Sequence, residues 1–287
     1  MGMIRRYYDH NTTLFLALGG SGRGKTIHRA LWAPGVRGRA EALETPHRLL
    51  EEKAAAITAR DGEPPRLLDL GCGIGGSLFA LADKLSPRNA AGWVGVTISP
   101  VQARLARADA RRRGLEHTIN FLESDFLSLP PLAPAGLAFS IEAFTHAADP
   151  ARYFASAAGA LRPGGRLALI DDFLRPHPGV YAPGEARDLA EFRSGWHTTG
   201  LADAAAACAH AAAAGLSLIE RRDLTGWVRV DTCRDRVVAL SAAAARMFRL
   251  RGPYWDSLTG GDALRRCIAS GLTGYEFLLF EKNTDHE

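Results

Sequence analysis

From residue 66 to residue 172, short apolar runs alternate with stretches of helical period. RLLDL (66–70) has the composition of a buried strand, and it is followed by a glycine-rich turn and by SLFALADKL, which has helical spacing. Four more runs of this kind are GWVGVTIS (92–99), TINFLES (118–124), GLAFSIE (136–142) and RLALIDDF (166–173). This alternation predicts a parallel sheet with helices on both faces.

Prolines and glycines mark the ends of the predicted helices. Pro100 suits the first turn of the helix after the second strand. Asp149 and Pro150 begin a helix after the fourth strand, and the triplet 163–165 (PGG) is predicted to end it.

Beyond residue 172 the pattern changes. LADAAAACAHAAAAG (201–215) predicts a helix that Gly215 ends, and LSLIERRDL (216–224) and LTGYEFLLFEK (272–282) predict an antiparallel pair at the sheet edge. Because the chain shows neither internal repeats nor a low-complexity linker, it is predicted to be a single domain overall. Its parts are an N-terminal helical lid segment (1–60) and a core (61–287) with a helical cap insertion around 224–271.

Charge and composition narrow the choice of partners. The chain has 287 residues, 47% of them hydrophobic, with a net charge of +4. Of its 35 basic residues four are lysines, so 31 are arginines, and the arginines of RLARADARRRG (104–114) fall on the predicted solvent face of a helix. The excess of positive charge equally suits an anionic small substrate, so no nucleic-acid partner is predicted.

The cysteines and the hydropathy pattern bear on the compartment. Cys72, Cys208, Cys233 and Cys267 have no metal-type spacing, and no apolar run is long enough for a membrane span or a signal peptide. We therefore expect a cytoplasmic protein with reduced cysteines. The sequence leaves the oligomeric state open, a homo-oligomer included.

One motif is typical of a different class of protein, the nucleotide-binding proteins. Residues Gly19 to Thr26 match the phosphate-binding pattern GxxxxGK[ST], with Lys25 in the lysine position and a short helix expected over 26–32. In that alternative the chain is a nucleotidase, and LALIDD (167–172) resembles a magnesium-binding strand. Pro34 and Gly35 would cut short the helix that such a loop needs, and residues 69–76 would go unexplained, so nucleotide hydrolysis is the distant alternative.

The turn after the first predicted strand contains residues that suit ligand binding better. LLDLGCGIGG (67–76) places Asp69 at a strand end and glycines where backbone could approach a ligand closely. A dinucleotide site usually has an acidic residue for the ribose about 20 residues further on, but the second strand ends with Thr97. Binding of a nicotinamide cofactor is therefore not favoured.

Together, LLDLGCGIGG, GVTISPVQARLARA, FLESDFLSLP, IEAFTHAADP and LRPGG resemble the motif series of class I S-adenosylmethionine-dependent methyltransferases. The subset most similar is the γ-tocopherol, sterol C24 and cyclopropane-fatty-acid methyltransferase group, in whose tocopherol members a threonine replaces the ribose-binding acid. Tyr8, within YYD (7–9), resembles the entry of an N-terminal segment that closes over the cofactor. The resemblance implies a Rossmann-like α/β fold with a mostly parallel seven-stranded sheet and an antiparallel edge strand, and S-adenosyl-L-methionine as cofactor.

The resemblance also implies which residues bind this cofactor. The turn of Gly71, Cys72, Gly73 and Gly75 would line its methionine end, with Asp69 and the backbone near Ile141 at the amino group. The nucleoside end would contact five further residues, namely Thr97, Gln102, Ile98, Asp125 and Phe126. In each case an ordinary structural role, such as a turn or a helix cap, is the alternative.

The acceptor is a lipophilic small molecule if the resemblance holds, with methylation of carbon slightly favoured and methylation of oxygen or nitrogen as the alternative. Glu142 and His146 follow a strand at its carboxyl end, where open α/β sheets form their sites, so either could be the catalytic base. Asp171 and Asp172 would point to opposite faces of a strand, so no dedicated metal is expected. Aromatic residues such as Phe144 could offer π faces to a cation. A module that binds the cofactor without transferring a methyl group is a further alternative.

Overall fold

A computed structural model describes residues 28–85, 92–177 and 179–284. The described residues form one seven-stranded sheet in the order β3-β2-β1-β4-β5-β7-β6. The strands in chain order are β1 (Leu67–Leu70), β2 (Trp93–Thr97), β3 (Ile119–Glu123), β4 (Ala135–Ile141), β5 (Leu161–Leu174), β6 (Leu216–Asp223) and β7 (Thr273–Lys282). The first five pair in parallel, whereas β7 is antiparallel to both β5 and the outermost strand β6. The predicted α/β fold, with its antiparallel pair at the edge, is confirmed.

Helices flank the sheet and extend beyond one end of it. They are α1 (Arg39–Asp61), α2 (Gly76–Leu85), α3 (Pro100–Arg113), α4 (Pro150–Ala160), α5 (Pro183–Trp196), α6 (Ala204–Ala213), α7 (Cys233–Met247) and α8 (Pro253–Ala269). The two predicted helix starts are present, each with a capping side chain: Ser99 accepts the backbone N–H of Gln102 before α3, and Asp149 accepts that of Arg152 before α4.

Alternation along the strands divides the core into two layers. Leu67 of β1 packs with α1, α2 and α3 on one face, whereas the next residue, Leu68, packs with α4 and α6 on the other. Within the predicted segment 1–60, α1 is therefore a core helix, and Leu50 and Ile57 are fully buried. A lid role for the residues before His28 stays a prediction, since they lie outside the described residues.

Two local expectations were wrong. Helix α4 ends at Ala160, and β5 begins at once with Leu161, whereas the sequence placed the break at 163–165. Pro163 disfavours helical conformation in the residue before it, and Gly165 lies so close to β4 that a Cβ there would be 3.0 Å from the carbonyl oxygen of Ala135. Strand β5 therefore starts earlier than predicted, and its pairing with β4 is irregular between Ala135 and Leu137 of β4.

The second wrong expectation concerns residues 28–32, which are extended instead of helical. Leu31 forms an isolated antiparallel bridge with Val228, and the Trp32 N–H donates to the carbonyl oxygen of Trp227. The guanidinium of Arg229 also lies over the Trp32 ring, 3.5 Å from its centroid. These contacts join residues 28–32 to the start of the predicted cap insertion.

The cap is larger than the sequence indicated. Helices α7 and α8 form in the predicted region, but α5, which lies between β5 and α6, packs with them. Gly195 of α5 and Gly260 of α8 approach so closely that a Cβ at either would overlap the other helix. Helices α5 and α8 lie at the carboxyl end of β5, where Leu174 packs against a hydrophobic cluster that includes Phe192 and Leu264.

Candidate functional site

The turn after β1 is shaped by glycines whose backbone conformation other residues rarely adopt. Gly71, Gly73 and Gly75 have φ angles of +105°, +53° and +86°. The backbone N–H groups of Gly71 and Cys72 both donate to the carbonyl oxygen of Val96, at 3.0 and 2.9 Å, so the turn is fixed to β2. It leads directly into the N-terminus of α2, where unpaired N–H groups favour an anionic ligand group.

The three glycines differ in what surrounds them. A Cβ at Gly71 would overlap the side chain of Ala143, and one at Gly75 would lie 2.6 Å from the ring of Phe121. A Cβ at Gly73 would meet no heavy atom within 4 Å. Gly71 and Gly75 are therefore required by packing inside the protein, whereas the backbone of Gly73 borders open space.

Two buried residues of β1 and its turn complete this side of the site. Asp69 is almost fully buried at the end of β1, and burial raises the pKa of its carboxyl group well above the ordinary value. Burial likewise raises the pKa of the Cys72 thiol, which lies 3.6 Å from the carbonyl oxygen of Gly73. Cys72 is therefore a thiol and not a thiolate, which suits packing better than nucleophilic chemistry.

Thr97 and Gln102, which were both predicted at the nucleoside end of the cofactor, are in direct contact. The Thr97 hydroxyl donates to Oε1 of Gln102 at 2.7 Å and accepts the backbone N–H of Ser99 at 3.2 Å. Both side chains are buried. Because a carboxamide oxygen accepts this bond, the Thr97 hydroxyl fixes which end of the Gln102 amide faces it, and the nitrogen is the donor end.

The other residues predicted for the cofactor border the same end of the sheet. Asp125 is half-buried after β3, and its Oδ1 accepts the backbone N–H of Leu127 at 2.9 Å. Phe126 packs edge-on against Tyr153 at a centroid distance of 5.3 Å. Ile98 follows β2 and Ile141 ends β4, and both are half-buried. Their positions after parallel strands agree with a site at the carboxyl edge of the sheet.

Glu142, predicted as a base, begins the turn after β4 with an uncommon φ of +52°. Its Oε1 accepts three hydrogen bonds: from the backbone N–H of Arg29 (3.0 Å), from Nε of Arg29 (2.9 Å) and from the hydroxyl of Tyr275 (2.8 Å). Burial is the largest single influence and would raise the pKa of Glu142, but the charges of Arg29 and His28 and the hydrogen bonds from Arg29 together lower it below the ordinary value. These contacts weigh against proton uptake by Glu142 at neutral pH.

Arg29 connects three elements that are distant in sequence. Its guanidinium also forms a two-pronged ion pair with the buried carboxylate of Asp172, and it stacks 4.2 Å from the centroid of the Tyr275 ring. Burial raises the pKa of Asp172 although Arg29 opposes the shift. The carboxylate of Asp172 is thus paired with an arginine, whereas in a magnesium-binding strand it would bind the metal ion.

His146, the other predicted base, lies in a short 3-10 helix over Phe144–His146. Burial lowers the pKa of its imidazole to about 4, so the ring is neutral at neutral pH. Its Nδ1 is 3.4 Å from the carbonyl oxygen of His197. Since a carbonyl only accepts, this contact favours the tautomer with the proton on Nδ1 and the lone pair on Nε2.

The neighbouring strand fixes the position of His146. Asp171 accepts the backbone N–H (3.1 Å) and the hydroxyl (3.2 Å) of Thr145. Burial raises the pKa of Asp171 to about 7. On the other side, the N–H of Gly200 donates to the carbonyl oxygen of Thr145. Asp171 and Asp172 do have different partners on opposite faces of β5, as the sequence predicted.

Several predicted features are absent from the site or outside the described residues. Phe144 is fully buried among core aromatic rings, so it cannot offer a π face to a ligand. Tyr8, Lys25 and the phosphate-loop pattern at Gly19 to Thr26 lie outside the described residues. Within the described ranges, no three His, Cys, Asp or Glu side chains are grouped to bind a metal ion, and no helix is long and apolar enough to cross a bilayer.

Arg29 and Tyr275 were missed in the sequence. Arg29 lies 113 positions from Glu142, and Tyr275 is 133 positions away, so no local pattern connects them. The one available signal was the pair of acidic residues that ends β5, because buried carboxylates need a cation.

Comparison with known proteins identifies the class of protein. A family model described as a methyltransferase domain matches residues 68–169. The chain is 35% identical over 147 residues to 24-methylenesterol C-methyltransferase 2 of Oryza sativa subsp. japonica, which is 50% of this chain and 37% of that protein. It is 32% identical over 161 residues to O-methyltransferase rstn1 of Aspergillus nomiae, 54% of this chain and 68% of that protein.

A solved structure extends the similarity along the chain. A cyclopropane synthase from Mycobacterium tuberculosis superimposes with a TM-score of 0.69 at 20% identity, covering 97% of each chain. The chain belongs to the class I S-adenosylmethionine-dependent methyltransferases. Over about half of its length or less it resembles the tocopherol and sterol enzymes of this class. It spans between about a third and about two thirds of the length of the curated relatives it matches.

Proposed function

We propose that the protein transfers the methyl group of S-adenosylmethionine to a lipophilic small molecule at the carboxyl ends of β1 and β4. The observation that carries the proposal is the open backbone at Gly73, in the turn that follows buried Asp69 and is hydrogen-bonded to Val96, the residue before buried Thr97. When bound, this cofactor supplies an electrophilic methyl group on a sulfonium, so the protein has to align the two reactants and exclude water.

The residues present fit such a cofactor. The turn of Gly71, Gly73 and Gly75 would hold its methionine end, with Asp69 beneath the turn. The amide nitrogen of Gln102 would donate to the ribose, in place of the usual carboxylate that accepts from it. The adenine would meet the half-buried group of Ile98, Asp125 and Phe126, and the backbone at Ile141 would face the amino group.

The lipophilic acceptor is supported by the relatives. One is named for a sterol, and the structural neighbour is named for cyclopropane synthesis. Both names describe apolar acceptors, but they also describe reactions at carbon, whereas the fungal relative is named for reaction at oxygen. The atom that is methylated therefore has to be argued from the chain's own residues.

Our proposal is methylation of a hydroxyl oxygen with His146 as the base. A hydroxyl must lose its proton, and the imidazole of His146 is uncharged at neutral pH and can take it, although burial also makes this imidazole a weaker base than usual. Glu142 is the weaker candidate since Arg29 compensates its charge. In this role Asp171 is a positioning residue, because it acts only through Thr145 on the turn that carries His146.

Methylation of carbon is the second candidate, and one observation favours it. All three hydrogen bonds to Glu142 end on Oε1, and no hydrogen bond from the described residues reaches Oε2. That oxygen could stabilise a transient carbocation on the acceptor and then remove its proton.

A matched pair of glycine variants tests the cofactor site. Gly73 and Gly114 both have positive φ, and a Cβ at either meets nothing within 4 Å, but Gly114 ends α3 away from the site. Both Gly→Ala changes should therefore cause similar backbone strain. We expect Gly73→Ala to weaken S-adenosylmethionine binding by about 1–3 kcal/mol in calorimetry, and Gly114→Ala to leave it unchanged. Equal affinities for the two variants would contradict the proposal.

A further inference from the structure

The outer helix of the cap, α7, is apolar on two opposite faces. Its inner face, which includes the buried residues Ala242 and Ala245, packs within the cap. Val237, Leu240 and Met247 lie at helical spacing on the outer face, with exposed fractions of 63%, 73% and 70%. A surface helix normally carries polar residues on its outer face, so this stripe indicates a partner that is apolar.

The apolar surface continues past the end of the helix. Phe248 and Leu250, between α7 and α8, and Tyr254, in the first turn of α8, are exposed as well. We call the outer face of α7 together with these residues the cap face. Six large apolar side chains on one short stretch exceed the scattered exposure that is ordinary for a soluble surface.

Positive charge borders the cap face. Arg234, Arg249 and Arg251 are exposed, and none of them forms an ion pair within the described residues. Of the three acidic residues between 231 and 256, Asp231 pairs with Arg236 and Asp235 accepts from Thr232 at the start of α7, so only Asp256 is left to oppose the three arginines. The cap face therefore combines apolar side chains with an excess of arginines.

From this combination we infer that the cap face binds the surface of a membrane that contains anionic lipids. Apolar side chains of a helix that lies in the interface enter the acyl boundary, while arginines attract anionic headgroups. A second copy of the chain is a poorer occupant, because a twofold interface would set the same arginines against each other. The inference goes beyond the proposed function, although a lipophilic acceptor would be found in such a surface.

The position of the cap gives the inference a functional consequence. Helix α7 packs on α8, and α8 packs beside Leu174 at the carboxyl end of β5. Docking through the cap face would bring the carboxyl edge of the sheet, where the site lies, close to the membrane.

Co-sedimentation with vesicles tests the inference without any methyl transfer. The full chain should sediment with vesicles of phosphatidylcholine mixed with phosphatidylglycerol, and roughly tenfold less with phosphatidylcholine alone, since the arginines supply the attraction. A Leu240→Glu/Met247→Glu variant should lose most of this binding. The matched control is Leu218→Glu/Ile219→Glu, which changes two exposed apolar residues on the edge strand β6 and should bind like the unchanged protein.

Arg234→Gln/Arg251→Gln should retain weak binding that no longer depends on the anionic lipid. The inference is overturned if the unchanged protein stays in the supernatant, or if the control loses binding as fully as the cap-face variant. It is also overturned if light scattering without vesicles shows a dimer that Leu240→Glu/Met247→Glu converts to a monomer, because the face then binds a second copy. Cofactor calorimetry on the same variants should show unchanged affinity, which separates this test from that of the proposed function.

Discussion

The turn after β1 and the turn after β4 lie side by side, with Ala143 occupying the space that a side chain at Gly71 would need. The first is held by residues close in sequence: the glycines of residues 71–75 and, after the next strand, the hydrogen bond from Thr97 to Gln102. The second depends on Arg29, whose ionic partners are 113 and 143 positions away. One half of the site is thus built from backbone conformation and the other from long-range charge pairing.

This difference has consequences for chemistry. A backbone turn offers a constant set of N–H groups and a fixed shape, which suits a cofactor that is the same in every reaction. Charge pairs between distant elements can be rearranged by single substitutions, which suits the half that meets a variable acceptor. The comparison predicts that substitutions in the first half change affinity for the cofactor, whereas those in the second change turnover or stability.

The largest effect should come from His146. His146→Asn keeps a polar side chain but removes the base, so turnover should fall by about 10²–10⁴ while cofactor affinity changes little. Glu142→Gln keeps an oxygen that can accept from Arg29 and Tyr275, and it should cost less than tenfold if Glu142 is not the base. Steady-state kinetics and calorimetry on both variants give the comparison.

The reverse result would change the assignment. If Glu142→Gln is nearly inactive and His146→Asn is active, Glu142 removes the proton and methylation of carbon becomes the better proposal. If both stay active, neither residue does acid–base work, and alignment of the reactants alone accounts for the reaction.

The next largest effect should be on stability. Arg29→Met leaves the carboxylates of Glu142 and Asp172 buried without their cation, which should lower the free energy of unfolding by about 3–5 kcal/mol. Denaturant titration followed by circular dichroism would measure it. Adding Asp172→Asn to Arg29→Met should restore part of the loss, because the uncompensated charge is then smaller. A loss below about 1 kcal/mol would mean that the network is solvated and contributes little.

The same contrast explains what the sequence could predict. All seven strands were located because each contains a short apolar run, even where, as in β6, charged residues follow it, and the glycine turn was recognised because its residues are adjacent. Helix α5 was missed although it has local signals: Pro183 in its first turn, Glu185 accepting the N–H of Ala182, and buried Leu189 and Phe192. Its pattern is short and mostly polar, and its buried face is completed only by α8.

The second half of the site could not be predicted in the same way. Nothing adjacent to Glu142 indicates that Arg29 and Tyr275 will meet it, since three separate elements bring them together. The sequence accordingly predicted the cofactor residues as a connected set, but for the base it offered two residues without a choice between them. Only their contacts distinguish a compensated carboxylate from a neutral imidazole.

The smallest expected effect tests whether side chains matter at all in the cofactor half. Thr97→Val removes the hydroxyl that orients Gln102 but keeps the size and branching of the side chain. The lost hydrogen bond is worth about 0.5–1.5 kcal/mol, so affinity for S-adenosylmethionine should fall between about twofold and tenfold. Thr97→Ser retains the hydroxyl and should bind the cofactor like the unchanged protein. If Thr97→Val has no effect in calorimetry while Gly73→Ala does, the backbone turn alone determines cofactor affinity, and the departure from a ribose-binding acid at this position has no energetic consequence. If Thr97→Val costs as much as Gly73→Ala, the side-chain pair is an equal part of the site, and the contrast between a backbone-built half and a side-chain-built half is too simple.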